Sequence, residues 1–553
     1  MHSHPPLQSV IHGTATDRKN VNLSNSYDVF VVGGGINGCG IAAEAAGRGM
    51  KVGLCEQSDL AAATSSASSK LIHGGLRYLE HYEFRLVREA LAEREILLHK
   101  APHLIKPLRF VLPHRPHLRP AWMIRTGLFL YDHLARRNRI PGSRGLAFHG
   151  NDQHPANPLQ DSIVKGFEYY DCRVDDARLV ISNALSAHEQ GADIQVQTRC
   201  LNARRQDGLW HITLQHIASG QRQTCTAKTL VNAAGPWAQR FIEQNLQATS
   251  PRKINLIKGS HLVTRKLYQG DQAYILQNED QRIVFVIPYQ DDFTLIGTTD
   301  KAYHGDPAQV AMDAEEEAYL LDIVNRHFKH AISSEDVLWR YSGVRPLCDD
   351  ESDSPSAMTR DYTLELQTNE QNQAPLLSIF GGKITTYRRL AQAAMKALAP
   401  HLENLQPAVT DAAVLPGGDI GDTDFDVWVA LVQHQYEWLD GEHCRRLCNA
   451  YGTRIHTLLA DCRQLTDLGE HFGAGLFQRE VDFLMQQEWA HSADDILWRR
   501  SKLGLRLSPQ EAQHLSDYIA LRLKAKAKQV DAGPAQAQLP CTPTIEPALR
   551  QAV

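Results

Sequence analysis

YDVFVVGGGINGCGIAAEAAGRGMKVGLCE, residues 27–56, is the stretch of this 553-residue chain that decides its fold. It begins with an apolar run, residues 29–32, that predicts a buried strand. Three glycines in the spacing G-x-G-x-x-G follow, then a helix-compatible run and a second apolar run that ends at Glu56. Strand, glycines, helix, strand and acid in this order are typical of a dinucleotide-binding βαβ unit. A chance Gly-rich turn, the ordinary alternative, would not explain the whole order.

Each residue of the motif has its own physical role. Gly33 permits the tight turn after the strand, and Gly35 lets a pyrophosphate approach the backbone. Gly38 lets the helix pack close to the strand, so that the N–H groups at the helix N-terminus point at the phosphates. Glu56 can accept hydrogen bonds from both hydroxyls of an adenosine ribose. It would repel a 2′-phosphate, which disfavours NADP.

Length and composition place the chain among ordinary globular enzymes. A chain of 553 residues is too long to fold around a single hydrophobic core, so we expect two or three domains. Its content of 43% apolar and 22% charged residues is common among soluble globular proteins. A net charge of -5 argues against a nucleic-acid binder. No apolar run reaches the ~18 residues of a spanning helix. Residues 1–26 lack the apolar core of a signal peptide, so we expect a disordered leader.

The cysteines are typical of a reduced, cytosolic protein. All ten are scattered along the chain. Cys444 and Cys448 are spaced i, i+4, so that on a helix they could face one metal ion. No second Cys or His pair completes such a site in the sequence, and we predict ordinary thiols and no bound metal.

The order of patterns predicts an α/β fold in which a Rossmann-like nucleotide-binding domain holds an inserted antiparallel-sheet substrate domain and precedes an all-helical C-terminal domain. Helices are predicted over residues 83–100, 313–330 and, throughout, 424–528. The strand-rich insertion has predicted antiparallel strands at 192–232 and more strands at 254–300, before a return to the nucleotide-binding half at 376–380. The predicted segments are a leader at 1–26, the nucleotide-binding and substrate unit at 27–415, the helical domain at 416–529 with a linker at 416–419, and a disordered Pro/Ala-rich tail at 530–553.

Five blocks of the chain carry a family resemblance. They are VGGGING (32–38), TSSASSKLIHGGLRY (64–78), YSGVRP (341–346), FGGKITTY (380–387) and DDILWRRSK (494–502). In these blocks the chain resembles the D-amino-acid-oxidase-type flavoproteins, and more closely the respiratory FAD-dependent glycerol-3-phosphate dehydrogenases, over roughly residues 27–510. Ala234 stands where that family would have Thr, a change that is conservative in size.

The resemblance implies FAD rather than NAD as the cofactor. The ADP half would lie on the glycine motif and Glu56, the segment 64–71 would wrap the pyrophosphate and the flavin ring, and residues 382–385 would approach the pyrimidine end. The residues implied in binding FAD are Gly33, Gly35, Gly38, Glu56, Thr64, Ser65, Ser66, Ser69, Lys70, Leu71, Gly235, Gly382, Lys383, Ile384 and Thr385.

The implied activity is oxidation of sn-glycerol 3-phosphate to dihydroxyacetone phosphate by hydride transfer to FAD, and it needs a cationic pocket for the phosphate. Arginine suits a phosphate because its planar fork gives bidentate, charge-assisted hydrogen bonds. The candidates are Arg345 and Arg360 first, then Arg77 and Lys383 as further cations and Tyr78 and Thr385 as hydroxyl donors. Arg345 is also counted among the catalytic groups. An arginine is ordinarily part of a surface ion pair, but the Gly-rich neighbours of these residues favour a site.

The reaction also needs a base for the proton of the C2 hydroxyl. His261 is the first candidate, because an imidazole titrates near neutral pH. With 26 histidines in the chain, a lone histidine is more often only a polar residue near the surface. His73 is the competitor, although its place between Ile72 and Gly74 suits packing beneath the flavin better.

A respiratory enzyme passes its electrons to a quinone in the membrane, and residues 109–139 suit a membrane contact. They hold seven arginines against one acid, Asp132, with apolar Trp122, Ile124 and Phe129 among them. Such a stretch can lie in the membrane interface with its basic residues on anionic head groups. The alternatives are a basic helix packed on its own protein or a nucleic-acid patch. The resulting expectation is a peripheral protein on the cytoplasmic face of the inner membrane, with a homodimer left open.

Two other functions compete with this one. The first is a soluble FAD oxidase of amino or hydroxy acids that uses oxygen, although several cations fit a phosphate better than a single carboxylate. The second is a non-catalytic flavoprotein or NAD-binding sensor whose helical domain binds a protein partner.

Overall fold

The computed structural model describes residues 25–115, 119–137, 139–148, 157–280, 282–348, 361–371 and 373–531. Almost all of the predicted leader and tail lie outside these residues, as does Arg360, so those expectations stay predictions. Within the predicted leader Ser26 begins a strand, and within the predicted tail Asp531 ends a helix.

The described residues form 18 strands and 12 α-helices. The strands are β1 (Ser26–Val32), β2 (Val52–Cys55), β3 (Leu71–Ile72), β4 (Ile105–Pro113), β5 (Arg144–Ala147), β6 (Lys165–Val174), β7 (Asp193–Gln195), β8 (Thr198–Gln206), β9 (Leu209–His216), β10 (Arg222–Asn232), β11 (Ile254–Arg265), β12 (Ala273–Gln277), β13 (Ile283–Tyr289), β14 (Phe293–Gly297), β15 (Lys301–Tyr303), β16 (Val337–Cys348), β17 (Thr363–Gln367) and β18 (Leu376–Phe380). The helices are α1 (Ile36–Gly47), α2 (Phe84–Lys100), α3 (Ala121–His133), α4 (Asp176–Glu189), α5 (Ala238–Asn245), α6 (Ala314–His327), α7 (Tyr387–Leu398), α8 (Phe425–Gln435), α9 (Gly441–Tyr451), α10 (Ile455–Leu458), α11 (Gln478–Gln487) and α12 (Pro509–Asp531).

The first sheet confirms the βαβ unit that the glycine motif predicts. Its strand order is β17-β18-β10-β1-β2-β7, and its central strands are parallel. Val29, Phe30 and Val31 of β1 are fully buried, because neighbouring strands flank both edges and side chains cover both faces. α1 packs beside α7 with little room between them, since a Cβ on Gly40 would lie 2.7 Å from the ring of Tyr387.

The strands at 192–232 belong to this first sheet, which corrects their expected place in the insertion. β8 pairs with β9 and β9 with β10 in antiparallel fashion, as predicted. β7, however, is parallel to β2, and the second half of β10 is parallel to β1. The period-two alternation of a strand shows which face is buried but not which strand lies beside it, so the sequence pattern could not assign these pairings.

The second sheet contains the strands of the predicted substrate domain. Its order is β15-β11-β14-β13-β12-β4-β6-β3, with β16 paired to β11 and β5 paired to β6. Its neighbours are antiparallel except β4 and β12, as expected for an antiparallel-sheet domain. α6 packs on one face, while α2 and α3 pack on the other.

The C-terminal residues form helices around a hydrophobic core of their own, which confirms the predicted helical domain. The predicted linker at 416–419 is not a loose connection. A Cβ on Gly417 would lie 2.4 Å from the carbonyl oxygen of Tyr451, and one on Gly418 would lie 2.3 Å from that of Lys100. The two glycines let this segment pass between the helical domain and α2.

Candidate active site

The three motif glycines differ in what surrounds them. A Cβ on Gly33 would lie 2.4 Å from the Ala233 oxygen, and one on Gly38 would lie 1.9 Å from the Gly33 oxygen. Among the described residues, only Ser65 Oγ, at 3.1 Å, would lie within 4 Å of a Cβ on Gly35. The first and third glycines are therefore required by backbone packing, whereas the middle one borders open space at the start of α1. That arrangement fits a pyrophosphate over Gly35.

Glu56 lies at the end of β2 beside this open space. Its Oε2 accepts from the Gly34 N–H at 2.8 Å, and its Oε1 accepts from the Ser58 N–H at 2.9 Å. Burial raises the pKa of Glu56, although these two N–H groups act against that rise. A carboxylate has about four acceptor sites, so two remain for ribose hydroxyls.

The segment at 64–71 joins the start of α1 to the second sheet. Ser65 Oγ accepts from the Ile36 N–H at 3.0 Å, and Thr64 Oγ1 donates to the Val344 carbonyl at 2.7 Å. The Lys70 ammonium lies 2.9 Å from Asp176 in a fully buried ion pair. The Lys70 charge is therefore already paired within the protein, with a partner 106 residues away that no local sequence pattern indicates.

The other implied cofactor residues lie in two loops with left-handed glycines. Gly235 has φ +54° and no atom within 4 Å of an added Cβ, and Gly382 has φ +98°. Asn37, which the sequence analysis missed, donates from Nδ2 to the Gly381 carbonyl at 3.1 Å. Its Oδ1 is buried without a hydrogen-bond partner among the described residues. A buried acceptor between two glycine loops fits a polar group of the cofactor.

A single row of residues crosses four strands of the second sheet. Tyr341 on β16 lies opposite His261 on β11, which lies opposite Gly297 on β14 and, beyond it, Phe285 on β13. The His261 ring leans over Gly297, because a Cβ there would lie 2.1 Å from its Cδ2. The His73 ring packs against Phe285 with centroids 6.3 Å apart. The two candidate histidines thus lie on the same face of the sheet.

His261 is a buried, neutral imidazole. Its Nε2 lies 2.9 Å from Ser69 Oγ, and its ring stacks on Tyr341 with centroids 4.8 Å apart. Its Nδ1 is buried and has no hydrogen-bond partner among the described residues. Burial, followed by the charges of Lys70 and Arg345, holds the pKa of His261 well below its usual value. At neutral pH the ring is therefore unprotonated and has the free lone pair that a base needs.

Arg345 lies on the same face as His261, four ladder positions away along β16. Midway between them Gly259 and Gly343 face each other and contribute no side chains to that face. A Cβ on Gly259 would lie 2.7 Å from Arg345 Nη2, so the guanidinium covers that glycine. Arg345 Nη2 also lies 3.3 Å from Asp300 Oδ1. The spacing of Tyr341, Gly343 and Arg345 at every second residue is the signal that could have predicted this shared face.

The remaining substrate candidates gather around His73. Thr385 Oγ1 accepts from the His73 N–H at 3.3 Å, and the Lys383 ammonium lies 3.7 Å from the centre of the Tyr78 ring. Arg77 is half-buried and has neither a hydrogen bond nor an ion pair with any described residue. Thr385 is thus connected through His73 to Phe285, in the row that holds His261, while Lys383 and Tyr78 contact each other.

Metal ligands do not gather anywhere in the described part of the chain. Groups of three or more His, Cys, Asp or Glu side chains suited to a metal ion are absent there. Cys444 and Cys448 are both buried in α9.

Comparisons with known proteins show the family of the chain. A family model described as "FAD dependent oxidoreductase" matches residues 28–388, and one described as "C-terminal domain of alpha-glycerophosphate oxidase" matches residues 408–532. The chain is 60% identical over 497 residues to a glycerol-3-phosphate dehydrogenase of Pseudomonas aeruginosa, covering 90% of this chain and 96% of that one. It is 52% identical over 492 residues to the aerobic glycerol-3-phosphate dehydrogenase of Escherichia coli, covering 89% and 97%. A solved structure of the glycerol-3-phosphate dehydrogenase from Bacillus halodurans, complexed with FAD, superposes with a TM-score of 0.71 at 26% identity and covers 92% of each chain. The chain therefore belongs to the family of FAD-dependent glycerol-3-phosphate dehydrogenases.

Proposed function

We propose that this protein oxidises sn-glycerol 3-phosphate to dihydroxyacetone phosphate and passes the electrons to a membrane quinone. The observation that carries the proposal is the shared face of the second sheet. There His261, a buried imidazole whose pKa is held well below its usual value, shares a face with Arg345, and only the glycine pair Gly259 and Gly343 lies between them on that face. A base next to an anion-binding cation suits a phosphorylated alcohol.

When bound, FAD supplies the acceptor for the hydride from C2. Arg345 and Arg77 hold the substrate phosphate, with Lys383 as a third cation and Arg360 as a further prediction outside the described residues. With Nε2–H donating to Ser69, the lone pair on His261 Nδ1 takes the proton of the C2 hydroxyl. The alcohol thus loses a hydride and a proton and becomes the ketone.

Flavin absorbance tests the reaction directly. Anaerobic addition of glycerol 3-phosphate to the purified holoprotein should bleach the oxidised flavin, and unphosphorylated glycerol should do so poorly. In His261→Ala the rate of bleaching at saturating substrate should fall by about 10²–10⁴-fold, the usual contribution of a positioned acid–base group. His327→Ala removes another buried histidine, on α6, and should leave that rate near the wild-type value.

Three results would contradict this assignment in different ways. An unchanged rate in His261→Ala together with a slow His73→Gln variant would transfer the base to His73. Bleaching by an amino acid or a hydroxy acid but not by glycerol 3-phosphate would favour the oxidase. A flavin that no substrate bleaches would favour the non-catalytic reading.

The membrane part of the proposal rests on a narrower surface than residues 109–139. Arg109 lies in β4, where it donates to Gln272 at 3.0 Å, and Ile124 is buried. Ile124 is therefore covered by the protein, and Arg109 is bonded within the second sheet. On the outer face of α3, Trp122 is 71% exposed and Phe129 is 54% exposed. In the described part of the chain, no helix is both long and apolar enough to cross a membrane.

Cations lie beside these exposed rings. A cavity of about 600 Å³ at the end of α3 is lined by Arg88, Arg136 and Arg137, of which Arg137 lies 3.4 Å from Asp132. The Phe129 ring lies 4.2 Å from the ring of His133, which lines the same cavity. Exposed aromatic rings next to arginines support contact with an anionic lipid surface rather than with a nucleic acid or with the protein itself.

A further inference from the structure

A short segment of the helical domain, residues 495–502, reaches the FAD-binding domain. Its first six residues, Asp495–Arg500, form one turn of π-helix, a rare conformation that is often found at functional sites. This segment lies in the DDILWRRSK block, to which the reaction described above assigns no role.

Its tryptophan begins a stack of four rings that ends at His261. Trp498 stacks on Trp339 with centroids 4.6 Å apart, Trp339 lies 4.7 Å from Tyr341, and Tyr341 lies 4.8 Å from His261. Gly504 packs closely against the Trp498 ring, because a Cβ on this glycine would lie 2.6 Å from the ring. We call these four rings the ring stack.

The charged side chains of the same segment bind carboxylates next to two of the candidate cofactor segments. Arg500 donates to both oxygens of buried Asp59, which lies three residues beyond Glu56, at 2.6 and 2.8 Å. Burial works to raise the pKa of Asp59, but Arg500 and Arg499 outweigh it and hold that pKa below its usual value. The Lys502 ammonium lies 3.3 Å from Asp175, the neighbour of the carboxylate that binds Lys70. The segment is therefore fixed tightly to the FAD-binding domain.

We propose that Trp498 is a positioning residue that sets the orientation of the His261 ring through the ring stack. His261 makes one side-chain hydrogen bond, to Ser69, among the described residues. One bond fixes the position of Nε2 but leaves the ring free to tilt about it. The flat contact with Tyr341, at an interplanar angle of 10°, removes that freedom. The Tyr341 hydroxyl donates to the Ser68 carbonyl at 2.8 Å, and its ring packs against Trp339, which Trp498 supports in turn. This inference rests on the proposed role of His261 as the base.

The first test is the rate of flavin bleaching in Trp498→Leu at saturating glycerol 3-phosphate. Because a misplaced base acts less often, the rate should fall on the order of tenfold or more, while the half-saturating substrate concentration and the FAD content stay near wild type. Trp438→Leu makes the same change at a half-buried tryptophan of the helical domain that lies outside the stack, and should have little effect. Trp498→Phe retains an aromatic ring and should restore most of the rate.

A double-mutant cycle separates positioning from a general loss of structure. In the His261→Ala background, Trp498→Leu should cause no further slowing, because no imidazole remains to be oriented. Additive losses would overturn the proposal. If Trp498→Leu does not fold, Trp339→Leu interrupts the same stack and enters the same cycle.

Titration of the His261 ring by NMR of histidine-labelled protein gives a readout that does not depend on activity. The groups that face this ring are Ser69, Lys70, Tyr341 and Arg345. If the stack loosens and water reaches the imidazole, its pKa should rise towards 6.5 in Trp498→Leu and stay low in Trp438→Leu. An unchanged pKa and an unchanged rate would reject the positioning role. A shifted pKa with no effect of His261→Ala on bleaching would keep the positioning and reject His261 as the base.

Discussion

At the scale of single residues, Arg345 and Arg77 should determine the affinity for the phosphate. Replacing either with Ala removes a charged hydrogen bond worth ~1.5–3 kcal/mol, so the KM for glycerol 3-phosphate should rise about tenfold or more. Steady-state kinetics with a soluble dye acceptor measures this. Arg340→Ala is the matched control, because Arg340 lies on the same strand but donates to Glu317 on the opposite face. Equal oxidation of glycerol and its phosphate by the wild type would leave the cations without a role.

A second residue-scale prediction concerns acid stability and His103. Burial, then the charges of Arg178 and Lys106, lower the pKa of this histidine to about 3. Below about pH 6.5 the histidine of the unfolded chain takes up a proton, whereas His103 in the folded chain stays neutral. The free energy of unfolding is therefore highest above about pH 6.5 and decreases as the pH falls towards about 3. The loss is about 1.4 kcal/mol per pH unit for one histidine.

Thermal unfolding across this pH range measures whether stability falls as the pH is lowered. The melting temperature should fall as the pH is lowered from 6.5, and it should fall less steeply in His103→Leu. His434→Leu, at an exposed histidine, should retain the wild-type slope. Identical slopes in all three proteins would mean that His103 is not neutral when folded.

At the scale of elements, the start of α1 should decide cofactor binding. Gly35→Val fills the open space over the helix N-terminus and should yield folded protein with little FAD, because the branched side chain would occupy the pyrophosphate position. The absorbance of the purified protein measures the flavin content. Gly145→Val, in β5 with no atom within 4 Å of the added Cβ, should stay fully loaded. A yellow, fully loaded Gly35→Val protein would reject this placement.

At the scale of the whole molecule, the outer face of α3 should hold the protein on the membrane. Changing Trp122 and Phe129 together to Ser should weaken binding to anionic vesicles at least about tenfold, since each ring loses burial in lipid. Activity with a soluble dye should persist, because the flavin site is untouched. Val427→Ser with Leu431→Ser removes two exposed apolar side chains from α8 and is the control.

The electrostatic part of membrane binding should be separable by salt. Binding of the wild type should weaken as ionic strength rises but leave a salt-resistant remainder from the aromatic rings. Arg88→Glu with Arg136→Glu should remove most of the salt-sensitive part. A Trp122/Phe129 variant that remains fully bound and fully active with quinone would place the contact surface elsewhere.

The sequence by itself determined the elements whose causes are local. The turn at Gly33, the start of α1, the helix at 84–100 and the helical C-terminal domain follow from glycine spacing and apolar periodicity within a few residues. The glycine motif and Glu56 could therefore be located before any fold was known. The family blocks added the candidate substrate residues.

Only the tertiary structure decided which distant residues meet. It placed β7 and β10 in the first sheet, paired Lys70 with Asp176, and joined Trp498 to His261 through two intervening rings. It also showed which face of α3 is exposed. A periodic pattern states that a side chain is buried but not what covers it. Contacts across more than a hundred residues depend on how sheets and helices pack, and a single sequence carries no local signal for that packing.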